Sequence, residues 1–62
     1  MNWEIPNRDA WFKVEARPGT AWNDREAWCR ENCQHRWIQQ NASKITEFES
    51  DKDAVLFALI WA

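Results

Sequence analysis

Sixty-two residues with a formal net charge of -2 and a pI near 5.2 make one small acidic domain, and a chain this short buries only about 60% of its unfolded surface, which leaves little core from which to carve a ligand pocket. Ten acids against eight Lys and Arg give no electrostatic footprint for binding phosphate. Six tryptophans with no tyrosine are more indole than so small a core needs, and surplus indole is what one protein uses to anchor on another.

The first six residues lack the basic-then-apolar order of a secretory signal, and no apolar run is long enough to span a bilayer. The expected setting is therefore a cytoplasm, without membrane contact. Residues 1–8 read as an irregular leader carrying Trp3, and the whole chain, 1–62, as a single domain. Ala10 to Ala16 alternates, with Phe12, Val14 and Ala16 on one face and Trp11, Lys13 and Glu15 on the other, the period of a half-buried strand. Arg17-Pro18-Gly19-Thr20 then turns the chain, proline presetting φ and glycine accepting a positive one.

Asn23-Asp24-Arg25-Glu26 has the form of a capping box, with Trp22 just before it as a hydrophobic staple on Ala27. A helix is expected from there to about Cys33, supported by Glu26 and Arg30 one turn apart. Cys29 and Cys33 lie on one face of it, in poor geometry for bonding each other, and read as the free thiols of a reducing compartment. Arg36 to Gln40 and Lys44 to Glu49 have strand composition and flank Asn41-Ala42-Ser43. With Ala42 and Ser43 at the hairpin tip, Trp37 faces Phe48 and Gln39 faces Thr46, while Ile38, Gln40, Ile45 and Glu47 take the wetter face. Asn41-Ala42-Ser43 also fits a glycosylation sequon, which has meaning only in a secreted protein.

Ser50 is placed to cap a last helix, with Asp51 and Asp53 in its first turn where the helix dipole favours negative charge. From Ala54 to Ala62 there is no polar residue, whereas a surface helix of a monomer shows a polar face. Either the segment is sandwiched between the sheet and another chain, or its last residues leave as a strand. The order β-α-β-β-α predicts an α+β fold with a three-stranded sheet and both helices on one face. A helical crossover makes the first two strands parallel if they are adjacent.

The closing stretch Phe48-Glu49-Ser50-Asp51-Lys52-Asp53-Ala54-Val55-Leu56-Phe57-Ala58-Leu59-Ile60-Trp61 resembles the C-terminal signature of small uncharacterised proteins of tailed bacteriophages, including phages of marine cyanobacteria, which pair an Asp-Ala-x-Leu-Phe helix start with a terminal tryptophan. Trp28-Cys29-Arg30-Glu31-Asn32 followed by Trp37 is similar to them too, so the resemblance covers about half the chain. It implies a phage-encoded protein with no catalytic residues to carry over. In those relatives the positions matching Ala58 and Ile60 are often basic; here both are apolar, so this terminus has more to hide.

Cys29, Cys33 and His35 form a Cys-x3-Cys-x-His cluster, but no fourth ligand closes a zinc tetrahedron, and buried helix cysteines beside a histidine at a helix end account for it. Glu49, Asp51 and Asp53 alternate as in a calcium loop, yet Ala54 and Ile60 stand where glycine and the closing glutamate belong. Neither metal nor cofactor is expected. The only histidine has no serine partner, so the chain reads as a non-enzyme.

The tryptophans divide. Trp22, Trp37 and Trp61 are assigned to the core; Trp3 and Trp11 are candidate exposed anchors, the competing role for Trp11 being to cover the back of the sheet. The expected function is a protein-interaction module acting on itself, as a homodimer, or on a host protein, with Trp3, Trp11, Phe57, Ile60 and Trp61 as the partner-binding residues. The alternatives are a single-stranded nucleic-acid binder using Arg25, Arg30, His35 and Arg36 interleaved with Trp28 and Trp37, which the acidic composition disfavours, and a minor virion component.

Overall fold

In the computed structural model, which describes residues 10–40 and 43–62, the elements are β1 (Phe12–Glu15), α1 (Trp22–Asn32), β2 (Trp37–Gln39), β3 (Ile45–Phe48) and α2 (Asp51–Trp61). The expected α+β order and three-stranded sheet are present. The sheet order is β1-β3-β2, with β3 antiparallel to both neighbours. β1 and β2 thus run in the same direction but never meet, because the last strand inserts between them. Trp3 and the rest of the leader, and Ala42 of the expected hairpin tip, lie outside the described residues.

Side-chain alternation sets the hairpin register: Trp37 pairs with Phe48, Ile38 with Glu47 and Gln39 with Thr46, as the alternation predicts. On the other side of β3, Phe12 pairs with Phe48 and Val14 with Thr46. Phe48 and Thr46 are fully buried beneath the helices. The opposite face is drier than expected at one point, since Glu47 is also buried. Gly19 sits at φ +89°, the backbone freedom that the turn after β1 requires.

α2 begins as predicted, with Ser50 Oγ accepting the Asp53 amide. It stays helical through Trp61, so the terminal strand alternative is ruled out. α1 does not begin as predicted. Its first helical residue is Trp22, its N-cap is Ala21 without a side-chain cap, and Asn23 and Glu26 lie inside the helix, so neither the capping box nor the staple forms. The reason is tertiary. Trp22 Nε1 donates to the Gln40 carbonyl at 3.0 Å and Arg25 binds Thr20, and together these outweigh a cap worth about 1 kcal/mol. The Glu26–Arg30 pair one turn apart is present at 3.2 Å.

The core comprises Ala16, Cys29, Phe48, Ala54 and Phe57, with Val14, Trp28, Cys33, Trp37 and Trp61 packed around it. Phe57 is its hub, its ring centroid 5.0 Å from Phe48, 5.8 Å edge-on from Trp28 and 6.3 Å from Trp61. Trp37 and Trp61 take core positions as assigned. Trp22 does not: Trp28 fills that place, its ring edge-on to Phe57, while Trp22 Nε1 reaches across to the Gln40 carbonyl.

Candidate functional site

α2 packs its Asp53, Ala54 and Phe57 face inward. From Val55 onward what remains outward is apolar: Leu59 is 75% exposed, Val55 57%, Ile60 48% and Leu56 41%. These positions follow the i, i+1, i+4, i+5 spacing of one helical surface, whose N-terminal end carries the exposed Lys52. Phe12 on β1 is also half-exposed. The C-terminal end of this surface is held in place by Arg17, whose amide donates to the Trp61 carbonyl and whose guanidinium donates to the Ile60 carbonyl at 3.0 Å and the Ala62 carbonyl at 3.3 Å. A cation on the last carbonyls complements the helix dipole and ties α2 to the turn after β1.

The five expected contact residues separate on this surface. Ile60 is exposed as the role needs. Phe57 is not, being fully buried at the centre of the core, and Trp61 is half-buried against it. A helix can turn only one side to the sheet, and the 3.6-residue period puts Phe57 on the inner side with Ala54 and Trp61. Trp11 is buried as well, so it is no exposed anchor; it borders an open groove of about 460 Å³ with Trp37, Ile38 and Glu49. Trp3 lies outside the described residues. Leu59 and Val55, the most exposed large apolar residues among those described, were missed; the signal was available, since both lie away from the Ala54, Phe57, Trp61 stripe.

A second groove, of about 550 Å³, is lined by Arg25 with Thr20, Trp22, Ser43 and Lys44. Arg25 is buried there, and its donors are committed: Nε to Gln39 Oε1 at 3.2 Å, Nη1 to the carbonyl and hydroxyl of Thr20 at 2.8 and 2.7 Å, and Nη2 to the Ser43 carbonyl at 3.1 Å. Gln39 Oε1 also accepts from Thr46 Oγ1, and Gln39 Nε2 donates to the Trp22 carbonyl. Among the described residues this guanidinium has no carboxylate partner; neutral acceptors in its planar fork hold the charge. It is a structural pin.

Of the remaining cationic groups of the nucleic-acid reading, Arg36 and Arg30 are engaged elsewhere. Arg36 forms an ion pair with Glu49 at 2.8 Å, which raises its own pKa and lowers that of Glu49 through the hydrogen bonds between them. Arg30 is paired with Glu26. His35 points to solvent, with Nδ1 3.8 Å from Asp53 Oδ2.

Cys29 and Cys33 are free thiols. Burial pushes the Cys33 thiol up to about 11, with the Asp53 carboxylate adding to the effect, and burial pushes Cys29 further in the same direction. Protonated thiols are poor nucleophiles and poor metal ligands. Among the described residues no three His, Cys, Asp or Glu side chains are gathered as metal ligands, and no helix is long and apolar enough to cross a membrane. Compared with protein-family models, curated proteins and solved structures, the chain matches none.

Proposed function

We propose that this chain is a small non-enzymatic protein-interaction module, of the kind tailed bacteriophages encode, which acts in the cytoplasm of the infected cell by associating with itself or with a host protein through the outward surface of α2. The observation that carries the reading is the exposure of Val55, Leu56, Leu59 and Ile60 on one helix that has no polar residue after Asp53. A contiguous apolar surface rimmed by polar groups is the mark of a docking site. The single-stranded nucleic-acid reading is weaker, because Arg25 is buried and Arg36 is occupied by Glu49.

The test compares Leu59→Gln with Phe57→Ala. Leu59→Gln is expected to change stability by no more than about 0.5 kcal/mol, as for an exposed position, while lowering the association of the chain measured by sedimentation across a concentration series. Phe57→Ala is expected to cost about 3–5 kcal/mol and to unfold so small a domain. Unfolding of a monomeric chain by Leu59→Gln would make the outward surface part of the core and end the reading.

A further inference from the structure

Among the described residues β1 is an edge strand, with β3 on one side only. The Ala16 amide donates to the Lys44 carbonyl, so the even-numbered residues of β1 direct their backbone groups to β3. Lys13 and Glu15 therefore turn theirs outward. Among the described residues these two outward backbones have no partner, and neither side chain forms an ion pair.

Charges on an edge strand ordinarily guard it against pairing. Here the two are of opposite sign and two residues apart, which makes the edge self-complementary in one register. We propose that two copies of this chain join through their β1 edges about a two-fold axis, with Lys13 of each opposite Glu15 of the other. The proposal rests on the reading of this chain as an association module and commits that module to a second copy.

The neighbouring registers fail. Shifting by one step places Lys13 against its own symmetry mate, and shifting the other way places Glu15 against its mate, both like-charge pairs. The second shift also needs the Arg17 amide, already given to the Trp61 carbonyl. In the proposed register Val14 meets Val14 at the axis and Phe12, exposed in the single chain, lies opposite the small Ala16. Both outward residues gain their ladder hydrogen bonds, and the two sheets become one of six strands. β2, the other edge, spans three residues and carries no charge to select a register.

The helices support the same axis. Asp53 and Phe57 meet the α1 side, through the amides of the 34–35 connection and the Trp28 ring. On the helical projection Val55, Ala58, Leu59 and Ala62 fall on the flank turned away from them. α2 also packs on β1, so pairing the edges brings the two α2 helices toward each other across the axis. Small and branched residues there permit close approach.

The experiment is a charge swap read by sedimentation and native mass spectrometry. Lys13→Glu and Glu15→Lys are each expected to weaken the dimer on the order of thirtyfold, since each converts both symmetry-related pairs into repulsions. An equimolar mixture of the two variants is expected to form a heterodimer, because each supplies the charge that the other lacks, and the double variant is expected to regain the wild-type dimer. Circular dichroism is expected to show all of them folded. If the single variants associate like the wild type, or the mixture does not restore pairing, the β1 register is wrong. If the charge variants are silent while Leu59→Gln dissolves the dimer, the register falls and the α2 reading stands. A wild type that stays monomeric near millimolar concentration overturns the second copy as the partner and leaves the α2 surface to a different protein.

Discussion

Asp53 Oδ2 accepts the amide of His35 at 3.0 Å while standing at the start of α2, so one buried carboxylate joins the second helix to the connection that leaves the first. The same oxygen accepts the Gln34 amide at 3.1 Å. These are charge-assisted bonds to consecutive backbone donors, and they fix the path by which β2 enters the sheet. Asp53 at the helix N-terminus is placed well for the dipole, but its partners across the chain matter more than that position.

Asp53→Ala is expected to destabilise the domain by about 2–4 kcal/mol, from two lost bonds and two stranded amides. Asp53→Asn retains an acceptor and is expected to cost about half as much. Thermal melts decide between them, since 1 kcal/mol moves the midpoint of a domain this size by about 4–8 °C. Equal melting of both variants with the wild type would show that the carboxylate carries no such load.

Arg25→Lys is expected to cost about 2–4 kcal/mol in urea unfolding, although charge is conserved. An ammonium group offers its donors from one point and cannot reach Gln39, Thr20 and Ser43 together as the guanidinium does. A lysine variant as stable as the wild type would mean that the charge, not the fork, is what the site holds.

Cys33, with its thiol raised from 9.0 to about 11, is expected to react with iodoacetamide at neutral pH about a hundredfold more slowly than an ordinary thiol. Cys29 is expected to be slower still and to react on unfolding. The raised values also set a direction for stability. Below pH 9 both states keep their thiol protons and this contribution is fully present; as pH rises from 9 to 11 the unfolded chain ionises first and stability falls. Cys33→Ser is expected to flatten that part of the alkaline limb, measured as melting temperature against pH. Rapid labelling of the folded chain at pH 7 would contradict the burial of these sulfurs.

Much of the architecture is local and therefore legible in the residues. Alternation of side chains in two adjacent runs is enough to set the Trp37 to Phe48 register, a glycine at positive φ makes the turn after β1, and Ser50 three residues before Asp53 makes a cap. Each depends on groups within a few positions of one another, where chain geometry leaves few choices. The start of α1 shows the limit, because Asn23 has the right local form and loses to bonds made by Trp22 and Arg25 with distant parts of the chain.

The sequence by itself determined the element order, the hairpin pairing and the apolar character of the last helix, since propensity, alternation and composition are properties of neighbours. Only the tertiary structure decided that β3 is central, that Arg25 and Asp53 are buried among acceptors and donors from other segments, that Phe57 is core while Leu59 is surface, and that Trp11 is covered. Those outcomes depend on which surfaces meet across long stretches of chain, and burial follows from that meeting rather than from residue type.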